Sequence, residues 1–242
     1  MNPGAFYSKR IQVQIYECDL ALRLRLSYLM RHIQQVSEDQ LEAMGAGYQK
    51  VLKQHSMVFL LTRIALQIQR MPQAGEQLTL STRPLESIKA QLFRETVVRD
   101  EQGSRLLTAW SAWLLFDPAA RRVLRPNRVP YTLNCGPAPD LSVFELPALE
   151  GSPAGERVVR FSDVDVNRHL TNSVYGDIAY DCLPWQVAAE GKLATVCFHF
   201  QSEAKPGENL ALFAAQQNDF DYTVYGTLEQ RPCFAARLTF QK

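Results

Sequence analysis

Very little in this chain is suited to crosslinking, structural metal binding or crossing a bilayer. The 242 residues include only five cysteines, at positions 18, 135, 182, 197 and 233, an odd and scattered set without a C-x-x-C pair. That spacing argues against a disulfide framework and a structural zinc site, and makes a reducing cytoplasm the expected compartment. No apolar run approaches the roughly 20 residues that a membrane span needs, so no membrane insertion is expected. Met1 to Arg10 contains no apolar core segment and no Arg- and Ser-rich stretch, so neither a secretory signal nor an organelle leader is expected. Charge of one sign is also missing. Lys and Arg total 26 against 25 Asp and Glu, a net charge of +1, which leaves no field for gripping a phosphate backbone and excludes nucleic acid as the expected partner.

What is present is an ordinary globular composition, 46% hydrophobic and 21% charged, with uneven punctuation. Five of the 13 prolines (130, 137, 139, 147 and 153) fall between Pro130 and Gly155, with Gly136 and Gly151 among them. The pattern predicts a linker or crossing loop over 131–155, between a unit at 1–130 and a unit at 156–242. In the first unit Lys9–Tyr16 alternates as a strand does. Ser27 is placed to cap a helix running to Met44, with Leu29, Ile33 and Val36 on one face and Gly45 as its stop. Strand-like runs follow at Met57–Gln69, Gln77–Leu85, Gln91–Arg99 and Arg105–Phe116. The second unit repeats the order. A strand at Arg157–Phe161 precedes a helix capped by Asn172 or Ser173 and ended before Pro184. Strands at Lys192–Gln201, Asn209–Ala215, Tyr222–Leu228 and Cys233–Phe240 complete it.

The halves also match residue by residue. Val13-Gln-Ile-Tyr-Glu-Cys-Asp19 sets against Val159-Arg-Phe-Ser-Asp-Val-Asp165 at an offset of 146. Ala74-Gly-Glu-Gln-Leu78 sets against Pro206-Gly-Glu-Asn-Leu210 at 132, and Glu101-Gln102 against Glu229-Gln230 at 128. Three matches in one order, with offsets that fall as loops shorten, indicate an internal duplication. One helix and several antiparallel strands per copy predict an α+β fold in which a sheet wraps a helix. The crevice between two such units suits a flexible acyl chain better than a nucleotide.

The densest polar cluster is Asp163-Val-Asp-Val-Asn-Arg-His-Leu-Thr-Asn172, between a strand and a helix start. Asp165, Asn167 and His169 are spaced by two, so extended backbone would project them together. A helix N-terminus just beyond offers free N–H groups to a developing oxyanion. The competing reading is ordinary capping and turn chemistry. The duplication weighs against that reading. Asp165 pairs with Asp19, but Asn167 pairs with Ala21 and His169 with Arg23, a pattern expected of one working site beside a degenerate copy. Glu203 pairs with Met71 at the offset of 132, which makes it a functional candidate too, against the reading of a solvated acid before Lys205-Pro206.

Taken together, the segment Arg160-Phe-Ser-Asp-Val-Asp-Val-Asn-Arg-His-Leu-Thr-Asn-Ser-Val-Tyr175 resembles the signature of the acyl-ACP thioesterases, a double hotdog family of fatty-acid synthesis. In that family a D-x-N-x-H motif is followed 34 residues later by a catalytic glutamate, which here is Glu203. Tyr16-Glu-Cys-Asp19, Leu26-Ser-Tyr-Leu-Met30, Leu61-Thr-Arg63 and Trp110-Ser-Ala-Trp113 extend the resemblance over nearly the whole chain. The chain departs from the family in three places. Ala204 stands where plant members carry a cysteine after the glutamate. Thr171-Asn172 replaces the usual Asn-Asn, and Gly176-Asp177-Ile178 lacks the usual helix aromatic. A Cys–His mechanism is thereby excluded at that position unless another cysteine reaches it, and Cys182 and Cys197 are read as core residues.

The resemblance implies a tandem double hotdog that hydrolyses fatty acyl-ACP with no metal or cofactor, in a bacterial cytoplasm. The catalytic candidates are Asp165, Asn167, His169 and Glu203, with Glu203 favoured over Asp165 as general base. Met30, Ile33, Phe59 and Leu61 of the first unit are expected to hold the acyl tail, with Asn172 and Arg168 as further binding residues. Arg168 and the cluster Arg121, Arg122, Arg125 and Arg128 are candidates for meeting an acidic acyl carrier protein, beside their reading as solvated basic surface. His32, His55 and His199 have no ligand-like spacing and are read as surface or core residues. An acyl-CoA thioesterase, a hotdog dehydratase and a non-catalytic acyl-thioester sensor are the alternatives, and the chain is expected to be a monomer or homodimer.

Overall fold

The computed structural model describes residues 6–129 and 135–241; residues 131–134 of the expected linker lie outside the described residues. In chain order the elements are β1 (Tyr7–Gln12), α1 (Leu26–Ala43), α2 (Tyr48–His55), β2 (Val58–Ile68), β3 (Gln77–Ile88), β4 (Gln91–Arg99), β5 (Arg105–Asp117) and β6 (Arg122–Leu124). They continue with β7 (Ser152–Val158), α3 (Val174–Asp181), α4 (Trp185–Glu190), β8 (Leu193–Phe200), β9 (Asn209–Asn218), β10 (Asp221–Leu228) and β11 (Arg231–Phe240).

The strands form one antiparallel sheet in the order β1-β3-β4-β5-β2-β8-β11-β10-β9-β7, with β6 attached to β5. Read from either edge the order is the same, because β7, β8, β9, β10 and β11 repeat β1 to β5. The copies join at the centre, where β2 pairs with β8 from Arg63↔His199 to Gln67↔Thr195. Backbone bonds repeat as well. The Val13 N–H reaches the Glu76 carbonyl at 3.0 Å, and the Val159 N–H reaches that of Glu208 at 2.9 Å. The offsets of 146 and 132 are therefore those of the folded chain.

Helix α1 buries Leu26, Leu29, Met30, Ile33 and Val36 against the sheet, and α3 buries Val174, Tyr175, Ile178 and Ala179. This is the stripe that an amphipathic helix offers a concave sheet. The two helices meet where α3 carries Gly176: a Cβ there would lie 3.1 Å from the Ser27 nitrogen. An aromatic side chain at that position would push the helices apart.

Several boundaries differ from expectation. Helix α1 begins at Leu26, with Arg25 in the cap position and no capping side chain. Ser27 lies inside the first turn and is fully buried, its Oγ without a hydrogen-bond partner. At α3 the cap position does fall on Ser173, but its hydroxyl accepts from Arg31 Nε (3.2 Å) instead of capping. Strand β1 ends at Gln12 because the chain turns into a 3-10 segment at Ile15–Glu17. Strand β7 begins at Ser152, inside the stretch read as linker. Part of the described remainder of that stretch is packed too. Phe144 is fully buried with Ala65, Leu85, Phe93 and Ala112 on the sheet face away from α1 and α3, and its carbonyl accepts from His199 Nε2 at 2.6 Å. Helices α2 and α4 have no counterpart in the sequence reading.

Candidate active site

The polar cluster folds as a closed loop. A 3-10 turn at Phe161–Asp163 is held by Asp163, whose carboxylate accepts from the Arg160 N–H (2.9 Å) and pairs with Arg157 (2.8 Å). An antiparallel bridge between Val164 and Leu170 then brackets residues 165–169. Within it Asp165 Oδ1 accepts from the backbone N–H groups of Asn167 (2.8 Å) and His169 (3.3 Å), while the Asp165 N–H reaches the His169 carbonyl at 2.9 Å. Arg168 takes φ +64° to close the turn, a left-handed conformation that costs a non-glycine residue on the order of 1 kcal/mol. The expected extended projection of Asp165, Asn167 and His169 is thus replaced by a turn wrapped around the Asp165 carboxylate.

The Leu170 N–H bonds the Ala204 carbonyl at 2.8 Å, which draws the segment after β8 alongside the loop. This brings Glu203 Oε2 to 3.2 Å from His169 Nε2, with side-chain exposures of 55% and 27%. With its proton on Nε2 the imidazole donates to the carboxylate. Asn167 is exposed on the loop, its Nδ2 3.4 Å from Asp165 Oδ2. Its Oδ1 accepts from the Tyr48 hydroxyl at 2.6 Å. Tyr48 comes from the first unit, at the start of α2, and escaped the sequence reading, which stops the first helix at Gly45 and begins the next element at Met57. Burial and the Asp165 and Glu38 carboxylates push its hydroxyl pKa up, so it keeps its proton and donates.

Met30, Ile33, Leu61 and Asn172 line one cavity with Trp113 and Ser111, of about 10 Å³, the space of a single water. Phe59 lies elsewhere, packed with Ala46, Val51, Met57 and Leu115. Arg168 is exposed at the loop, and Arg121, Arg122, Arg125 and Arg128 are exposed after β5. The position after Glu203 holds no thiol, since it is the fully buried Ala204. Nearby, the buried Cys233 thiol is engaged with the Ser202 carbonyl at 3.1 Å and the Tyr175 hydroxyl at 3.2 Å, and burial raises Cys182 to about 11 and Cys197 to about 12. His32 pairs with Glu17 at 3.1 Å. Among the described residues no three His, Cys, Asp or Glu side chains converge as metal ligands would.

The first unit carries the same loop without the same chemistry. Asp19 Oδ1 accepts from the Ala21 (2.8 Å) and Arg23 (2.9 Å) N–H groups, and Leu22 takes φ +60°. The Leu24 N–H bonds the Pro72 carbonyl at 2.8 Å as Leu170 bonds Ala204, so Met71 holds the place of Glu203. Arg23, in the place of His169, pairs with Asp19 (2.8 Å) and donates to the carbonyls of Ala188, Ala189 and Gly191 at 3.0, 2.9 and 2.6 Å. Asp19, Ala21, Arg23 and Met71 border a cleft of about 1260 Å³ in which the amide, imidazole and carboxylate of the second unit are all replaced.

Two five-stranded copies, each cradling a helix and joined edge to edge, define a tandem double hotdog of the α+β class. The acyl-ACP thioesterase N-terminal domain matches residues 4–129 and the acyl-ACP thioesterase C-terminal domain matches residues 149–231. The chain belongs to the acyl-ACP thioesterase family. It is 21% identical over 220 residues to a chloroplastic acyl-[acyl-carrier-protein] hydrolase of Cuphea viscosissima, covering 85% of this chain and 53% of that protein. The chain spans about half the length of the curated relatives it matches. Among solved structures, a Lactobacillus plantarum protein provisionally named an oleoyl thioesterase is 26% identical with a TM-score of 0.86, covering 98% of this chain and 96% of that one. A 12:0-ACP thioesterase from Umbellularia californica shares the fold at a TM-score of 0.87 and 16% identity, with coverages of 98% and 97%.

Proposed function

We propose that this chain hydrolyses fatty acyl-ACP thioesters to free fatty acid and the carrier thiol. The observation that carries the reading is the 3.2 Å contact of Glu203 with His169, beside Asn167, in the one unit that keeps all three residues. Glu203 takes a proton from a water held near His169, and the water oxygen attacks the thioester carbonyl carbon. Asn167 Nδ2 and a backbone N–H at the start of α3 receive the oxyanion. As the tetrahedral intermediate collapses the C–S bond breaks, and the proton returns from Glu203, with His169 assisting, to the leaving thiolate. Asp165 holds the loop through backbone N–H groups and makes no contact with the imidazole among the bonds described, which favours Glu203 as the base.

The acyl tail enters the cavity bordered by Met30, Ile33, Leu61 and Asn172, opening it by side-chain rotation, with the first unit serving as tail binder. Arg168 beside the loop, and Arg121, Arg122, Arg125 and Arg128, offer the acidic carrier its contacts. The free thiols of Cys18, Cys182, Cys197 and Cys233 suit a reducing cytoplasm and a place in fatty-acid synthesis. The β2–β8 seam makes within one chain the sheet contact that two single units would make between chains, so a monomer suffices for the site.

The test is release of free acid from acyl-ACP and acyl-CoA panels by wild type, Glu203→Ala and His169→Ala. Release from acyl-ACP that falls by at least about 100-fold in both variants, with unchanged folding, is the expected result. Turnover confined to acyl-CoA reassigns the carrier, and binding without turnover of either replaces the enzyme by a sensor.

A further inference from the structure

We infer that Tyr48 of the first unit is a positioning residue for the second unit's site, fixing which way the Asn167 amide faces. This rests on the reading of Asn167 as the donor to the thioester carbonyl. An asparagine amide can be turned end for end at almost no cost unless its neighbours tell oxygen from nitrogen. Here two neighbours do. The Tyr48 hydroxyl donates to Oδ1 at 2.6 Å, and the Asp165 carboxylate faces Nδ2 at 3.4 Å. Reversing the amide would set Oδ1 against a carboxylate oxygen and turn the N–H pair away from the substrate side. With both neighbours in place, one N–H faces Asp165 and the other stays free for an oxyanion.

Tyr48 is itself held. Its backbone N–H, at the first turn of α2, donates to Glu38 Oε1 at 2.6 Å, tying it to α1. The duplication supplies independent support. In the mirrored cleft the place of Asn167 is taken by Ala21, and the first residue of α4, as Tyr48 is of α2, is Trp185, which borders that cleft. The amide and the hydroxyl that orients it are lost together where the chemistry is lost. A tyrosine that merely tethered α2 to the loop would have no reason to disappear with the amide.

The test is a double-mutant cycle on single-turnover hydrolysis, with enzyme in excess so that slow rates stay measurable. The probes are dodecanoyl and hexadecanoyl thioesters of ACP and of CoA. Tyr48→Phe is expected to lower the hydrolysis rate about tenfold, the worth of one oriented hydrogen bond, with half-saturation within about twofold of wild type and the same Tm. In an Asn167→Ala background the same substitution is expected to change nothing further. A Tyr48→Phe rate equal to wild type overturns the inference, as does an equal loss in both backgrounds. Wild-type rates for Asn167→Ala, or no release by wild type, overturn the reading of the site beneath it, and that result is separate from any effect of Tyr48→Phe.

Discussion

Asp19 and Asp165, 146 positions apart, hold their loops by the same bonds: each carboxylate accepts from the backbone N–H groups two and four residues on. The acid survives in both copies because both loops need folding, whereas the imidazole and amide survive in only one. Asp165→Asn keeps an oxygen able to accept those N–H bonds. It is expected to lower kcat by no more than about tenfold, while Glu203→Gln loses about 100-fold or more, the usual worth of a general base. Rates for both variants at saturating acyl-ACP decide it; a larger loss in Asp165→Asn moves the base to Asp165.

Arg23 stands in the place of His169 and binds three carbonyls at the end of α4, besides Asp19. Arg23→Ala leaves these partners to water and is expected to cost about 2 kcal/mol, roughly 4–8 °C in Tm for a chain of this size. Activity per folded molecule at 25 °C is expected to stay at the wild-type value. Calorimetry beside an acid-release assay checks both, and lost activity at unchanged Tm would give the mirrored loop a part in catalysis.

His199 lies between the central sheet and the crossing segment, and burial, aided by the Arg63 charge, lowers its pKa below the usual 6.5. A histidine with a depressed folded pKa gives its stability in full above the unfolded value. That stability is lost as pH falls below 6.5 through the folded pKa, because the unfolded chain binds the proton first. Urea midpoints are therefore expected to fall between pH 7.5 and 5.5, with a shallower fall in His199→Gln. Parallel slopes for the two proteins would remove His199 from the pH response.

Trp113 borders the small cavity with Met30 and Ile33, and its Nε1 donates to Ser111 Oγ at 2.8 Å. Trp113→Leu opens room for several methylenes, each worth about 1–3 kcal/mol in a fitted pocket. The ratio of kcat/KM for hexadecanoyl over dodecanoyl thioester is expected to rise at least about fivefold. An unchanged ratio would place the acyl tail outside this cavity.

Much of the fold was legible because its signals are local. Alternation marked nine of the eleven strands, β4 to the residue, since half-buried strands must present opposite faces to core and water, and it caught β7 only at its last two residues, Arg157 and Val158. The missed elements, α2, α4 and β6, are eight, six and three residues long, too short for a period to show. Ser27 read as a cap because serine caps helices, but the approach of α3 at Gly176 buried it. Asp165, Asn167, His169 and Glu203 stood out through the comparison of the two copies, which isolates what one unit has and the other has lost. Phe59 lies outside the cavity that Met30, Ile33 and Leu61 share, because alternation assigns a face and not a neighbour.

The sequence by itself determined the duplication, the order of most elements and the residues proposed for the chemistry, since each is encoded in short-range pattern or in the matching of one copy to the other. Only the tertiary structure decided that Tyr48 meets Asn167 across 119 residues, that Arg23 seals α4, and that Glu203 reaches His169. Those contacts arise where loops and helix ends of different elements are brought together by the β2–β8 seam and the packing of α1 on α3, and no local periodicity specifies them.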